Sequence, residues 1–231
     1  MIPLKDNIPS ETFPIVNYIF IGLSVAVFFF ELSLGSNLEK FVYIFGVVPD
    51  RTLSIFASAP HLMFYALFPF FTSIFLHGGW LHLLGNMLFL YIFGDNIESA
   101  LGHIRYIVFY LASGIIASVV HMLTNPASGI PTIGASGAIA GVMGAYFLLY
   151  PKAKVVTIIP IFFFIQIVEI PAFIFLGFWF LIQFASGSIS LMSQGGAYSG
   201  VAWWAHIGGF LAGAGYIVYR SGIRILKGDK N

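Results

Sequence analysis

The sequence predicts an all-α, polytopic membrane protein, and three observations lead to this class. Hydrophobic residues make up 59% of the 231 residues and charged residues only 8%, against about half and about a quarter in an average soluble domain. Several apolar stretches approach the roughly 20 residues that a helix needs to cross a bilayer. These stretches lack the alternation of polar and apolar residues that is typical of transmembrane barrel strands.

Charge and cysteine content exclude several kinds of function. Ten basic and nine acidic residues leave a net charge of +1, so nothing indicates a nucleic-acid partner. The chain contains no cysteine, which excludes disulfides, thiol catalysis and cysteine-based metal sites. We therefore expect a protein embedded in the lipid bilayer, with no cofactor and no metal.

Apolar runs between polar breaks predict six membrane-spanning helices in a single domain comprising residues 1–231. The core is expected at about residues 13–220, between short cytoplasmic tails, with a first loop at the membrane interface. In chain order the predicted spans are Ile15–Leu32, Gly79–Phe93, Ile104–Leu123, Ser136–Tyr150, Pro171–Phe184 and Val201–Tyr219.

The first span is expected to remain in the mature protein. Asp6 and Glu11 precede it with Lys5 as the single base, whereas a signal peptide begins with a basic region. The lack of a targeting extension or an added domain favours the plasma membrane of a prokaryote.

The fifth span lies in an apolar run, Val155–Phe184, that is longer than one bilayer crossing. Pro160, Glu169 and Pro171 interrupt this run. Since proline ends or bends a helix, we expect the crossing to begin at about Pro171. The preceding stretch is interpreted as a bent loop or an interfacial segment.

The positions of lysine and arginine predict the orientation. With a cytoplasmic N-terminus, the outside carries two bases, Lys40 and Arg51. The inside then carries eight, namely Lys5, Arg105, Lys152, Lys154, Arg220, Arg224, Lys227 and Lys230. This is the positive-inside bias of membrane proteins. The second, fourth and sixth spans therefore run inward, and residues near their starts lie in the outer half of the membrane.

Polar side chains inside hydrocarbon are costly and by default indicate function. Four of them lie near the starts of the inward-running spans: His82 and Asn86 in the second, Ser136 in the fourth and His206 in the sixth. His82 and Asn86 are four residues apart, which places them on one helix face. All four are expected at a similar shallow depth.

Small residues share the faces of Ser136 and His206. They are Ala140 and Gly144 in the fourth span, and Gly209 and Gly213 in the sixth. Helices with such faces can approach closely in membranes. The Ser136 hydroxyl and the His206 imidazole are therefore expected within hydrogen-bonding reach.

A hydroxyl beside an imidazole is what nucleophilic acyl transfer requires, because the imidazole accepts the serine proton. A triad adds a carboxylate that orients the imidazole. The acids nearest to these spans, Asp95, Glu98 and Glu169, are expected at the cytoplasmic side. We therefore expect a Ser136–His206 dyad in which packing, rather than a carboxylate, holds the imidazole.

An oxyanion formed at this serine would also need hydrogen-bond donors. Backbone N–H groups that follow Gly134 and Ala135 lie at a helix start, where they have no intrahelical partner. Asn86 and His82 can add side-chain donors.

Three motifs lie in order on the second, fourth and sixth spans. They are HxxxN at His82–Asn86, GASG at Gly134–Gly137 followed by Gly141, and AHIGGFLAG at Ala205–Gly213. This set resembles the rhomboid family of intramembrane serine proteases over roughly residues 13–220, and the resemblance implies a six-helix bundle. Glycines of the motifs are expected to pack the helices around the site: Gly134, Gly137, Gly141, Gly209 and Gly213.

The resemblance implies Ser136 as nucleophile and His206 as general base and then acid. It implies His82, Asn86 and the serine backbone N–H as the oxyanion hole. The implied substrate is a single membrane-spanning helix with a locally unstable outer end and a small residue before the cleaved bond, entering past the fifth span. His77 matches a position that in relatives lies near the catalytic water.

Two features depart from the family pattern. The Trp-Arg pair often found in the first loop is missing between Gly35 and Phe75, which leaves the membrane anchoring of that loop without its usual residues. Some relatives stack a tyrosine, four residues after the serine, on the catalytic histidine. Here that position is Ala140, so another group must hold His206.

Other function classes explain the sequence less well. A transporter usually has its site near the midplane, between internally repeated halves, and no such repeat is visible. A catalytically silent relative that binds membrane clients would keep the fold and lose the dyad. A zinc hydrolase is disfavoured because the chain has no HExxH.

The remaining polar residues are interpreted as structural. Glu98 and Arg105 flank the turn between the second and third spans and are expected to form an ion pair, while Gln166 and Glu169 are expected to face water or headgroups. Three histidines are interpreted as structural or interfacial: His61, His103 and His121.

Overall fold

The computed structural model describes residues 1–161, 164–192 and 201–226. The helices in these ranges are α1 (Ile15–Ser33), α2 (Leu38–Phe45), α3 (Pro49–Ser58), α4 (Met63–Leu67), α5 (Pro69–Thr72), α6 (Trp80–Leu101), α7 (His103–Thr124), α8 (Ser136–Leu149), α9 (Ala172–Met192) and α10 (Trp203–Leu226). The strands are β1 (Ile2–Asp6), β2 (Lys154–Ile161) and β3 (Phe164–Pro171). Helices α2–α5 are short and form the first loop.

The predicted class, a helical multi-pass membrane protein, is confirmed. The six predicted spans correspond to α1 and to α6–α10. Among the described residues, α1, α7 and α9 are each long and apolar enough to cross a bilayer, and a fourth span results if Pro60–Phe75 and α6, which meet at 78°, count as one. Helix α8 has only 14 residues, so the number of six crossings stays a prediction.

Helix α8 lies at the centre of the bundle, where it packs against α6, α7, α9 and α10. Its residues Gly137–Tyr146 are all buried. A helix of this length rises about 21 Å, which is less than the roughly 30 Å of bilayer hydrocarbon. The other helices therefore surround α8, and lipid touches little of it.

Helices α8 and α10 approach each other through glycines. A Cβ atom on Gly209 would lie 2.0 Å from the carbonyl oxygen of Gly137, and one on Gly213 would lie 1.9 Å from that of Gly141. From the other side, a Cβ on Gly144 would lie 2.0 Å from the carbonyl oxygen of Phe210. Real side chains do not tolerate such distances, so only glycine allows the two backbones to come this close.

Glu98 ties the start of α1 to the end of α6, and the expected ion pair with Arg105 is wrong. The Glu98 carboxylate is fully buried and accepts hydrogen bonds from the backbone N–H groups of Val16 (3.0 Å) and Asn17 (2.7 Å). It also contacts Nδ1 of His103 at 2.5 Å. Free N–H groups at a helix start favour a carboxylate, which explains why Glu98 turns toward α1.

The stretch before α9 is a β-hairpin, and the expectation of a bent loop is wrong. Strands β2 and β3 pair antiparallel, and β1 adds to β2 as the third strand. The stretch is rich in valine and isoleucine, which favour strands. Pro160 lies beyond Ile158, the last residue of β2 that pairs with β1, where the missing N–H is tolerated.

Glu169 is exposed, as expected, and lies at the base of this hairpin. Its Oε2 accepts a hydrogen bond from Lys154 Nζ at 2.8 Å. This hydrogen bond lowers the pKa of Glu169 and raises the pKa of Lys154. Both side chains are more than half exposed, so the pair adds little to stability.

Replacing Gly213 with alanine is expected to destabilise the protein, because the added Cβ would collide with the backbone of α8. Overpacking of this kind costs about 1–3 kcal/mol, and thermal unfolding in detergent micelles measures it. Gly215→Ala is the matched control, since it lies in the same helix and its Cβ would meet nothing within 4 Å. Equal midpoints for the two variants would contradict the close approach.

Removing the Glu98 side chain is expected to loosen the start of α1, because two buried N–H groups lose their acceptor. Glu98→Ala should lower the free energy of unfolding by about 1–3 kcal/mol and speed hydrogen exchange at Val16 and Asn17. Glu39→Ala, at an exposed position, is the control. Unchanged exchange at both amides would show that Glu98 does not cap α1.

Candidate active site

The structure brings the Ser136 hydroxyl and the His206 imidazole into direct contact. Ser136 is the first residue of α8, and His206 lies in the first turn of α10. The distance between Ser136 Oγ and His206 Nε2 is 2.8 Å, which is a normal hydrogen bond. The two residues are 70 positions apart in the chain, and the glycine contacts between α8 and α10 hold them together.

A residue that the sequence reasoning missed contacts the other ring nitrogen. Gln183 of α9 places its Oε1 2.7 Å from His206 Nδ1. The sequence predicted that packing, rather than a carboxylate, holds the imidazole, and the structure adds the hydrogen bond of an amide to that packing. Packing contributes as well, since the Trp179 ring centroid lies 5.7 Å from that of His206. One signal could have indicated Gln183, namely an uncharged polar residue within the apolar run of the fifth span.

The turn before Ser136 depends on Gly134. Its φ of +121° is a conformation that residues with a Cβ rarely adopt. Its N–H donates to the carbonyl oxygen of Ser73 at 2.8 Å, and Thr132 pairs with Val47 of the first loop. The first loop thus supports the backbone that leads into α8, whose first N–H groups have no intrahelical partner.

His82 and Asn86 of α6 converge on the same turn. A Cβ on Gly134 would lie 2.6 Å from His82 Nε2 and 3.6 Å from Asn86 Nδ2, so both side chains occupy space that a larger residue would fill. The Gly78 N–H points at His82 Nδ1 at 3.4 Å, which leaves Nε2 to carry the ring hydrogen. Asn86 Nδ2 is buried without a hydrogen-bond partner and is available to donate.

A cavity of about 960 Å³ opens onto these groups. Ser136, His206, His82 and Asn86 all line it. Its other walls include residues of the loop before α8, of α8 and α9, and of the segment before α10, among them Asn125, Thr132, Met143, Trp179 and Ala202. The four polar residues predicted from the sequence therefore line one cavity.

His77 lies behind this cavity and does not line it. Its side chain is buried, and its ring centroid is 5.2 Å from that of His82. The backbone N–H of His77 donates to Glu31 Oε2 at 3.1 Å. Glu31 is a buried acid at the end of α1 that the sequence reasoning overlooked, although it interrupts an apolar run; it supports His77 and does not contact His206.

The other histidines differ in their surroundings. His121 lines the cavity, where its Nδ1 lies 3.4 Å from Asn125 Nδ2, whereas His103 contacts Glu98 and His61 is exposed in the first loop. In the described part of the chain, no group of three or more histidine or acidic residues could hold a metal ion.

The geometry combines a hydroxyl, an imidazole that can accept its proton, and nearby hydrogen-bond donors. With Gln183 Oε1 at Nδ1, the ring hydrogen lies on Nδ1, and Nε2 is free to accept the Ser136 proton. Donors lie beside Gly134, next to the serine, where negative charge would develop on an attacked carbonyl group. Such a set can perform acyl transfer.

Several known proteins are similar in sequence to this chain. The family model for the rhomboid domain matches residues 64–222. The rhomboid protease GluP of Bacillus subtilis (strain 168) is 35% identical over 138 residues, which are 59% of this chain and 24% of that protein. The mitochondrial presenilin-associated rhomboid-like protein of Mus musculus is 30% identical over 156 residues, 65% of this chain and 37% of that protein.

A plant relative extends the comparison. Rhomboid-like protein 11, chloroplastic, of Arabidopsis thaliana is 34% identical over 110 residues, 48% of this chain and 36% of that protein. In each case the match spans well under half the length of the relative. Because the domain match alone takes up more than half of the sequence, this chain belongs to the rhomboid family.

Proposed function

We propose that this protein is an intramembrane serine protease that works with a Ser136–His206 dyad. The observation that carries the proposal is the 2.8 Å hydrogen bond between Ser136 Oγ and His206 Nε2. Membership of a family with relatives that are named proteases supports it.

The chemistry follows from the positions of the protons. His206 Nε2 accepts the hydroxyl proton while Ser136 Oγ attacks the carbonyl carbon of the scissile peptide bond. The oxyanion that forms accepts hydrogen bonds from Asn86 Nδ2, His82 Nε2 and the Ser136 N–H. His206 then gives the proton to the leaving amine. Water, activated by the same imidazole, hydrolyses the acyl-Ser136 intermediate and restores the hydroxyl.

The proposed substrate is the transmembrane helix of a single-span membrane protein. The protein lies in the bilayer, so a substrate helix can reach the cavity from within the membrane. A peptide bond inside an intact helix is shielded by its own backbone hydrogen bonds, so a locally unstable outer end is required. A small residue before the cleaved bond would fit beside the turn at Gly134.

We place the protein in the plasma membrane, with both termini in the cytoplasm and the site toward the outer side. The distribution of eight bases inside against two outside supports this orientation. The charged base of the β-hairpin, with Lys154 and Glu169, lies on the proposed cytoplasmic side.

Replacing Ser136 with alanine should abolish both cleavage and covalent labelling, because the attacking oxygen is removed. The assay uses a fluorophosphonate probe and a panel of single-span substrates with purified protein in liposomes. Ser36→Ala, at an exposed position of the first loop, is the control and should react as the unaltered protein does. Labelling that survives Ser136→Ala would exclude this serine as nucleophile. Substrate capture without cleavage or labelling would indicate a client-binding protein instead.

Replacing Asn86 with alanine should lower kcat by about 100- to 1,000-fold, as expected for the loss of one oxyanion donor. KM should change little, because the lost interaction forms mainly in the transition state. Asn37→Ala, which removes an exposed amide of the first loop, serves as the control. A change in KM with kcat intact would place Asn86 in substrate binding and outside the oxyanion hole.

A further inference from the structure

We propose that Gln183 is a positioning residue that sets the tautomer and the orientation of His206, in the place that a carboxylate occupies in a triad. This inference rests on the proposed function, since it concerns the base of the same reaction.

The contact is partly buried. Gln183 is 5% exposed, whereas His206 has intermediate exposure and lines the cavity. The 2.7 Å between Gln183 Oε1 and His206 Nδ1 is shorter than most neutral N–H···O hydrogen bonds. Because water reaches Gln183 poorly, its amide oxygen has little competition for the Nδ1 hydrogen, and the hydrogen bond holds the ring plane as well as the proton.

The orientation of the amide decides which ring nitrogen is the base. Gln183 Nε2 points to the carbonyl oxygen of Trp179 at 3.4 Å, and a carbonyl oxygen can only accept. The amide oxygen must then face His206, where it requires a hydrogen on Nδ1. The opposite orientation would place two oxygens together and would leave the hydrogen on Nε2. In that tautomer the imidazole could not accept the Ser136 proton.

Helix α9 supplies a second support one turn earlier. The Trp179 ring packs across His206 at a centroid distance of 5.7 Å and an interplanar angle of 37°. The residue four positions after Ser136 is Ala140, which is fully buried and too small to hold an imidazole. Trp179 and Gln183 thus provide from α9 the support that Ala140 does not provide from α8.

An amide suits a buried, low-dielectric site better than a carboxylate does. It accepts the Nδ1 hydrogen without adding an ionised group, which would be costly to bury before the reaction begins. It also stabilises the imidazolium less than a carboxylate would. Replacing the amide at position 183 with a carboxylate is therefore expected to change the pH dependence of kcat.

Two variants test the role. Gln183→Met keeps the length of the side chain and removes the acceptor, and it should lower kcat by about 10- to 100-fold with KM unchanged. Gln183→Glu keeps an acceptor and adds negative charge, so it should retain more activity and move the acid limb of the kcat–pH profile to higher pH by about one unit or more. Ile182→Met, at the exposed neighbouring position of α9, is the control for altered packing.

A measurement that does not require activity separates this inference from the proposed function. Nitrogen-15 NMR of histidine-labelled Ser136→Ala protein should show His206 with its hydrogen on Nδ1, assigned by loss of the signal in His206→Ala. In Ser136→Ala/Gln183→Met the hydrogen should shift toward Nε2.

The outcomes are distinct. Wild-type kcat and an unchanged tautomer with methionine at position 183 would overturn the positioning role, while Ser136-dependent cleavage would still support the dyad. Absent labelling and cleavage in the unaltered protein, with the Nδ1 tautomer present, would overturn the proposed function alone.

Discussion

The close approach of the α8 and α10 backbones is the constraint on which the candidate site depends. Gly209 and Gly213 bring α10 within van der Waals contact of carbonyl groups on α8. A side chain at either position would push the two helices apart. The 2.8 Å hydrogen bond between Ser136 and His206 would then be lengthened or broken. The packing of small residues one or two turns below the site therefore sets the distance between Ser136 and His206.

Buried polar side chains in this protein stabilise the bundle where they form hydrogen bonds to neighbouring helices. Asn17 donates to the carbonyl oxygen of Leu90 at 3.0 Å and accepts from the Tyr106 hydroxyl at 2.8 Å. With Glu98 at the start of α1, these contacts join three helices and satisfy polar groups that are buried in the protein. At the other end of α6, Asn86 Nδ2 has no such partner and Asn86 lines the cavity, which suits a donor that acts on a bound group.

The sequence was sufficient for much of the site because the spacing of residues on a helix is a local property. His82 and Asn86 share a face by their separation alone, and the positions of Ser136 and His206 at helix starts follow from the apolar pattern. Gln183 was missed because its contact is between helices, and a single glutamine in an apolar run does not indicate which helix it faces. Glu98 was assigned to Arg105 for the same reason: sequence proximity favoured a neighbour, whereas the free N–H groups of α1 were close only in space.

The sequence by itself determined that this is a helical membrane protein with a serine and a histidine on small-residue faces, because hydrophobicity and periodicity are encoded along the chain. It also indicated the family, through three ordered motifs. Only the tertiary structure decided that a β-hairpin precedes α9, that the first loop supports the turn at Gly134, and that an amide contacts His206. These features depend on contacts between distant segments, and the chain encodes them only through the way in which the helices pack.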